Sequence, residues 1–361
     1  MSVYWGVNLS HDGSICQVNE DGEIDWFIEE ERYSRIKHHD LPLTAVPFIN
    51  YNKEINPIQI SSLYESWDKK CTEETSKIFA TFVERFYNRK NNNNYYKKVN
   101  YNLYFDHHLY HAACGFYNSG FKESAVLVVD GMGNYINGDD DYHEVETIYT
   151  MSYPNIVRIH SQNVIPSFIS SDRHPFDKYP IGIGAIYSSI ADYFGFGTLG
   201  SGKLMGLSAY GKEDSNIKPF IVDGKLDSSQ FYRTRHGLNF IPYEYVDFKG
   251  KKIDQSNPKI NNLCNLAYRV QKDFEDYMIN LILYTLKLTN SKNLVLTGGC
   301  ALNCVANYRY LNYLPKDVNL YIEPISSDAG TSIGLAKLQY HHTTNSILPK
   351  PLKSLYLGLE K

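Results

Sequence analysis

The sequence predicts an α/β fold built from two related lobes, and three observations carry that prediction. The chain has 361 residues, more than one ordinary compact domain. A strand, a polar turn with Asp and Gly, and further strands occur near residue 3 and again near residue 125. The C-terminal part alternates long amphipathic helix and short apolar strand, with glycine turns between them.

Taken in order, Val3 to Leu9 reads as a strand and Ser14 to Asn19 as a second. Asp21-Gly22 is a hairpin signal, and Ile24 to Glu29 returns as a third strand. A helix is expected near residues 73–90, followed by a polar surface loop from Asn91 to Lys98. The pattern then restarts with a helix over His107 to Tyr117 and a buried strand over Ala125 to Asp130, which enters a turn at Gly131 and Gly133. Glu144 to Met151 and Ile156 to Gln162 continue as strands. Leu263 to Leu288 is a long helix whose stripe is Leu263, Leu266, Val270, Phe274, Met278 and Leu281. Asn293 to Thr297 is a strand, Gly298-Gly299 a turn, and a helix follows from Ala301. Asn319 to Glu323 is a strand, Ser326 to Gly330 a turn, and Thr331 to Gln339 a closing helix. The first lobe is expected over residues 1–120 and the second over 121–361.

Composition narrows the function classes. A hydrophobic fraction of 43% suffices for a sizeable core. The net charge of -4 gives no sign of a nucleic-acid or anionic-membrane partner. The six cysteines form no CxxC pair, which fits a reducing compartment. The N-terminus has no basic segment followed by an apolar one, and no apolar run approaches the length of a membrane span. A soluble cytoplasmic protein is expected.

The sharpest local signal is DHHLYHAA, residues 106–113. His107 and His111 are four apart, so on a helix they share one face and can bind one metal ion, while His108 points elsewhere. An isolated HxxxH is more often a helix that carries histidines for packing. Two distant features raise its weight. Asp130 ends an apolar strand in VVDGMG, and Asp328 sits in the turn SSDAG. Aspartate beside glycine is also a common turn-former. With the histidines, the two aspartates make an N2O2 set suited to iron, zinc or manganese, among which spacing does not choose.

A second signal is NLSHDGS, where His11 and Asp12 occupy the turn between the first two strands. A histidine there faces the cleft of a two-lobed fold and is a candidate general base, although a turn histidine that caps backbone reads about as well. EEERYSRIKHH, residues 29–39, clusters Arg32, Arg35 and Lys37 with three glutamates. Such runs are usually solvated faces, but this position allows Lys37 a cleft-facing role toward phosphate or carbamoyl oxygens. A third signal is TGGCALN, residues 297–303. Strand, two glycines and helix start let backbone N–H groups approach a nucleotide, with Asn303 as a hydrogen-bonding side chain. On its own this turn is common. Residues 195–200 match GxGxxG and residues 197–203 the start of a P-loop. A helix rather than a strand precedes them, and Leu204 replaces the Ser/Thr that would hold magnesium. The glycine-rich SGKLMGLSAYGK remains a pocket-forming candidate.

In order, NLSHDGS, EEERYSRIKHH, DHHLYHAACGFY, VVDGMG, GKLMGLSAYG, LTGGCALN and SSDAGTSIGLA resemble the carbamoyltransferase family of nodulation and antibiotic O-carbamoyltransferases. The resemblance runs from about residue 4 to the C-terminal YLGLE. It implies an actin-like (ASKHA), Kae1-like fold. It implies His107, His111, Asp130 and Asp328 as metal ligands, usually of Fe(II), and a bound carbamoyl-adenylate or ATP. Gly298, Gly299 and Asn303 would lie against the adenylate, with Lys203 and Gly206 lining the same pocket. Asp12, Gly131 and Gly133 would belong to the same binding surface. His11 and Lys37 would be catalytic, His11 close to the reacting carbamoyl group.

The implied reaction is attack of an acceptor hydroxyl, on a sugar or a nucleoside-like molecule, on carbamoyl-adenylate with loss of AMP. Family members carry a further YrdC-like domain that makes the adenylate; the chain is expected to depend on a separate YrdC-like partner, to be a fragment, or to have a changed role. Cys300 departs from the aliphatic residue usual at its position. Threonylcarbamoyl transfer to tRNA uses the same fold and histidine pair, but the EEERYSRIKHH and KLMGLSAYG segments and the modest charge argue against it. A nucleotide-binding scaffold without catalysis is the third reading.

Overall fold

The structure is a computed structural model that describes residues 2–49, 54–61, 69–90, 98–134, 143–164, 182–222, 225–227, 230–234, 237–240 and 260–359. The loop expected over Asn91 to Lys98 lies almost wholly outside them.

Three strands open the chain: β1 (Ser2–Asn8), β2 (Ser14–Val18) and β3 (Ile24–Glu29). A short helix α1 (Glu30–Ser34) follows, then β4 (Glu54–Ile55), β5 (Ile58–Ser61), helix α2 (Lys69–Lys90), β6 (Tyr101–Tyr104) and helix α3 (His107–Ser119). The second half repeats the scheme. It opens with β7 (Glu123–Val129), β8 (His143–Ser152) and β9 (Ile156–Val164), then helices α4 (Ile183–Tyr193) and α5 (Ser201–Ser208). Two small hairpins follow, β10 (Ile221–Val222) with β11 (Lys225–Leu226) and β12 (Phe231–Thr234) with β13 (Gly237–Phe240). Helix α6 (Ile260–Thr289), β14 (Asn293–Thr297), α7 (Cys304–Tyr310), β15 (Asn319–Ile322) and α8 (Gly330–Thr344) complete it.

The two sheets have one topology. The first runs β3-β2-β1-β5-β6 with β4 beside β1, and the second runs β9-β8-β7-β14-β15. In each, an antiparallel three-stranded meander is extended by two parallel strands reached through helical crossovers. This is the duplicated two-lobed actin-like fold. All strands of the first sheet fall within residues 2–104 and those of the second within 123–322.

Strand alternation assigns the faces. Val3, Trp5, Val7 and Leu9 pack with Phe79, Val83 and Tyr87 of α2, while Tyr4 faces Ile333, Ala336 and Tyr340 of α8. Ala125, Leu127 and Val129 pack under α4 and α6, while Val126 and Val128 face Ala112, Ala113 and Phe116 of α3. Covered on both sides, these strands read as continuous apolar runs. The molecule is therefore layered: α2, first sheet, α8 against α3, second sheet, then α4 to α6. Each half ends in a helix, α3 and α8, that crosses to cover the other half's sheet, and these two helices pack against each other at the centre.

Glycine makes that central contact possible. A Cβ at Gly334 of α8 would lie 2.0 Å from the Tyr110 carbonyl of α3. The stripe expected on the long helix is the observed buried face of α6, with Leu281 only partly covered. Residues 183–193 are helical, so the GxGxxG match has no strand before it, as its context implied. Cys16, Cys114, Cys264, Cys300 and Cys304 are free thiols. No described helix is long and apolar enough to cross a membrane.

Candidate metal centre

Helix α3 begins where three side chains meet its unpaired N–H groups. Asp106 accepts from Leu109 N at 3.4 Å, Asn134 from His107 N at 3.1 Å, and Glu144 from His108 N at 3.1 Å. Those acceptors supply what the first turn of any helix lacks. They also fix the rotation of α3, and with it the direction of its histidines.

One turn apart, His107 and His111 point their Nε2 atoms at each other across 2.9 Å. His107 Nε2 lies 3.2 Å from Asp130 Oδ2 and 3.6 Å from Asp328 Oδ1. His111 Nε2 lies 3.8 Å from Asp130 Oδ2 and 3.6 Å from Asp328 Oδ1. All four side chains are buried, and their ligand atoms lie within 4.8 Å of one another. His108 points away, with Nδ1 2.7 Å from Thr147 Oγ1.

Asp130 follows β7 directly, and the Gly298-Gly299 turn holds it. Gly299 N donates to Asp130 Oδ1 at 3.0 Å, leaving Oδ2 for the histidines. Gly298 has φ of 89°, and a Cβ there would sit 2.4 Å from the Val129 carbonyl. Asp328 stands just ahead of α8, its carbonyl accepting from Thr331 N and Thr331 Oγ1.

The first lobe reaches the same point through the β1–β2 turn. His11 Nε2 lies 3.2 Å from Asp328 Oδ2 and its Nδ1 lies 3.3 Å from Asp12 Oδ2. Asp12, at a φ of 56°, also faces His38 Nδ1 at 2.6 Å, and Glu31 accepts from His38 N at 3.1 Å. Lys37 is exposed beside His38.

Electrostatics follow from burial with unbalanced acid. Burial opposes the His107 imidazolium, but the Asp328 and Asp130 carboxylates outweigh it and push its pKa up to about 10. Asp328 is also the main cause that pushes His11 up to about 9, against burial and with help from Asp12 and Asp130. Burial works against the charge on Asp328, yet His11 and His107 hold its carboxyl well below the usual range. Without a cation, two facing imidazole nitrogens and two carboxylates are balanced only by protons. The donor set fits a divalent ion of borderline hardness, with His107, His111, Asp130 and Asp328 as its ligands.

The remaining expected residues divide into two groups. Gly131 and Gly206 are open, with no heavy atom within 4 Å of a notional Cβ. Lys203, exposed on α5, has its Nζ 5.8 Å from the Phe196 ring centroid. By contrast, Gly133 is enclosed by Glu144 and His108, and its N–H donates to the Glu144 carbonyl. Asn303 caps α7 through Ala306 N, and its amide pairs both ways with Gln271, at 3.1 and 2.9 Å. That side chain ties the start of α7 to α6.

Sequence reasoning missed four contributors. Asn8 donates to the carbonyls of His11, Asp12 and Asp328. Asn134 and Glu144 cap α3. Gly184 at the start of α4 lets Asp130 approach, since a Cβ there would lie 2.6 Å from the Asp130 carbonyl. Only Asn8 had a signal, its place in the NLSHDGS turn.

Fold and site together define an actin-like protein with a buried His2Asp2 centre reached from both lobes. Residues 4–337 match the family model described as carbamoyltransferase N-terminus, so the chain belongs to that family. The nodulation protein NolNO of Sinorhizobium fredii is 24% identical, over 96% of this chain and 49% of its own length. The nodulation protein NolO of Bradyrhizobium diazoefficiens is 26% identical, over 64% of this chain and 37% of its own. The chain spans about half the length of the curated relatives it matches, or less. Among solved structures, HypF of T. kodakarensis aligns with a TM-score of 0.51 at 12% identity, over 96% of this chain and 49% of that one, a likeness of fold.

Proposed function

We propose that this chain is the transfer half of an O-carbamoyltransferase. It holds carbamoyl-adenylate and passes the carbamoyl group to a hydroxyl of a small sugar or nucleoside-like acceptor, with AMP released. Membership of the carbamoyltransferase family supports the group transferred. The observation that carries the reading is His11, which stands 3.2 Å from the candidate ligand Asp328 at the mouth of the His2Asp2 cluster.

His107, His111, Asp130 and Asp328 would hold a divalent ion, Fe(II) by family resemblance, which would supply charge screening for the phosphate and polarisation of an oxygen. The chain's own groups do the rest. The acceptor oxygen forms a bond to the carbamoyl carbon. The bond from that carbon to the phosphate oxygen breaks, and its electron pair leaves with AMP. His11 is raised to about 9 mainly by the Asp328 carboxylate; a cation held by Asp328 would offset that charge and leave the neutral imidazole to take the hydroxyl proton, a contribution of about 10²–10⁴-fold for a positioned base. Asp12 orients the His11 ring through Nδ1. Lys37 and Lys203 supply charge toward the phosphate or carbamoyl oxygens, and the open glycines Gly131 and Gly206 leave room for the nucleotide. Carbamoyl-adenylate comes from a YrdC-like unit.

The test supplies the purified chain with carbamoyl phosphate, ATP, a separately expressed YrdC-like domain and candidate hydroxyl acceptors. Acceptor-dependent AMP release is the expected result. Absence of such turnover in every combination sinks the transferase reading.

A further inference from the structure

One face of α3 carries a buried polar stripe that continues past the candidate ligands: His107, His111, Cys114 and Asn118, at intervals of four, three and four residues. The first two meet Asp130 and Asp328. Asn118, seven residues beyond His111 and therefore about 10 Å further along the axis, meets a different partner. Its Nδ2 donates to Glu323 Oε2 at 3.1 Å. Between them, Cys114 Sγ lies 3.5 Å from Asn118 Nδ2 and would lie 3.3 Å from a Cβ at Gly330. The segment from Glu323 to Gly330 thus runs beside α3.

Glu323 is the residue at which β15 gives way to the turn that ends in Asp328. Its Oε1 accepts from Ile325 N at 2.9 Å, its carbonyl accepts from Ser326 Oγ, and its Oε2 lies 3.3 Å from Tyr321 Oη. Burial pushes the Glu323 carboxyl up to about 7. An apolar residue would be the easier occupant of such a place, so the hydrogen bonds are what this side chain contributes.

We propose that Asn118 and Glu323 are positioning residues for the metal centre. Their hydrogen bond ties the Asp328 turn to the same rigid helix that presents His107 and His111, and so sets the distance between Asp328 and the two imidazoles. This rests on the reading of the four-residue cluster as a cation site. Neither residue touches the ion or the reacting atoms. Their effect passes through the loop, as outer partners of metal ligands do when their loss weakens binding about 10–100-fold.

The experiment has two arms on the full chain. In the metal-free protein, hydrogen exchange of residues 324–330 is compared between wild type and Asn118→Ala. In the second arm, cobalt(II) is titrated into wild type, Asn118→Ala and Glu323→Gln, with thermal melting of each metal-free protein as the control for folding. Expected are faster exchange over 324–330 and cobalt affinity about tenfold weaker in Asn118→Ala, with melting only slightly lowered. Glu323→Gln retains wild-type affinity, because the Asn118 amide can turn over and present its otherwise unpaired Oδ1 to the new amide. Unchanged exchange in Asn118→Ala overturns the tie. Faster exchange with unchanged affinity overturns the positioning role, as does loss of affinity that only tracks loss of melting temperature. A wild-type chain that takes up no cobalt sinks the cation site itself, and the positioning role with it, while the exchange arm still decides the tie.

Discussion

Asn8 and Asp328 stand 320 positions apart in sequence and share a hydrogen bond, Asn8 Nδ2 to the Asp328 carbonyl at 3.3 Å. The same amide reaches the carbonyls of His11 at 3.0 Å and Asp12 at 3.3 Å. One side chain therefore joins the turn that carries the candidate base to the turn that carries a candidate ligand. Asn8→Ala leaves these carbonyls without that donor, and ~1–3 kcal/mol of stability should be lost. Denaturant unfolding measures it; an unchanged midpoint and slope would contradict the bridging role.

His11 supplies a different prediction because it touches Asp328 without belonging to the four-residue cluster. His11→Ala should reduce acceptor-dependent AMP release by about 10²–10⁴-fold while metal content stays at the wild-type level. Equal turnover in the variant would remove His11 from the reaction.

Glu146 on β8 predicts a pH effect on stability. It is buried beneath α6 and accepts from Tyr277 Oη at 2.8 Å. Burial pushes its carboxyl up to about 7, only partly offset by that hydrogen bond. The folded protein thus holds this proton more tightly than the unfolded chain. The resulting stability is fully present below about pH 4.5 and is lost as pH rises through about 7. Glu146→Gln stays neutral throughout and keeps an acceptor for Tyr277. The variant should gain on wild type between pH 5 and pH 8, by up to roughly 3 kcal/mol. Parallel stability curves over that interval would show that Glu146 titrates normally.

Gly334 tests the packing that brings the lobes together. A Cβ there would meet the Tyr110 carbonyl at 2.0 Å, and backbone cannot turn aside as a flexible side chain can. Gly334→Val should therefore cost about 1–3 kcal/mol or more and weaken cation uptake, because α3 and α8 carry or adjoin the candidate ligands. A melting temperature equal to wild type would mean that the two helices separate at little cost.

Much of this was legible in the sequence. Strands β3 and β14 have the expected limits, and β1, β2, β7, β8, β9 and β15 differ from expectation by only one or two residues at an end. Their apolar runs and Gly/Asp turns are local signals. His107, His111, Asp130 and Asp328 converge as expected, and Gly298 and Gly299 lie beside Asp130. Less visible were residues whose part depends on a distant partner. Glu144 looks like any glutamate in a strand until α3 presents its first turn to it, and Glu323 reads as a strand end until Asn118 is placed opposite. Asn303 was expected to face a nucleotide; its pairing with Gln271, on a helix 32 positions away in sequence, had no local signal. Strands β5 and β6, only four residues each, carry too short an apolar pattern to be read alone.

The function proposed above requires that the His2Asp2 cluster hold a divalent ion. Equilibrium dialysis of the metal-free chain and of His107→Ala against Fe(II) under anaerobic conditions, followed by elemental analysis, tests it most directly. About one ion per chain is expected in wild type, from the four-ligand set among the described residues, and little in the variant. Equal metal content in the two proteins would contradict it.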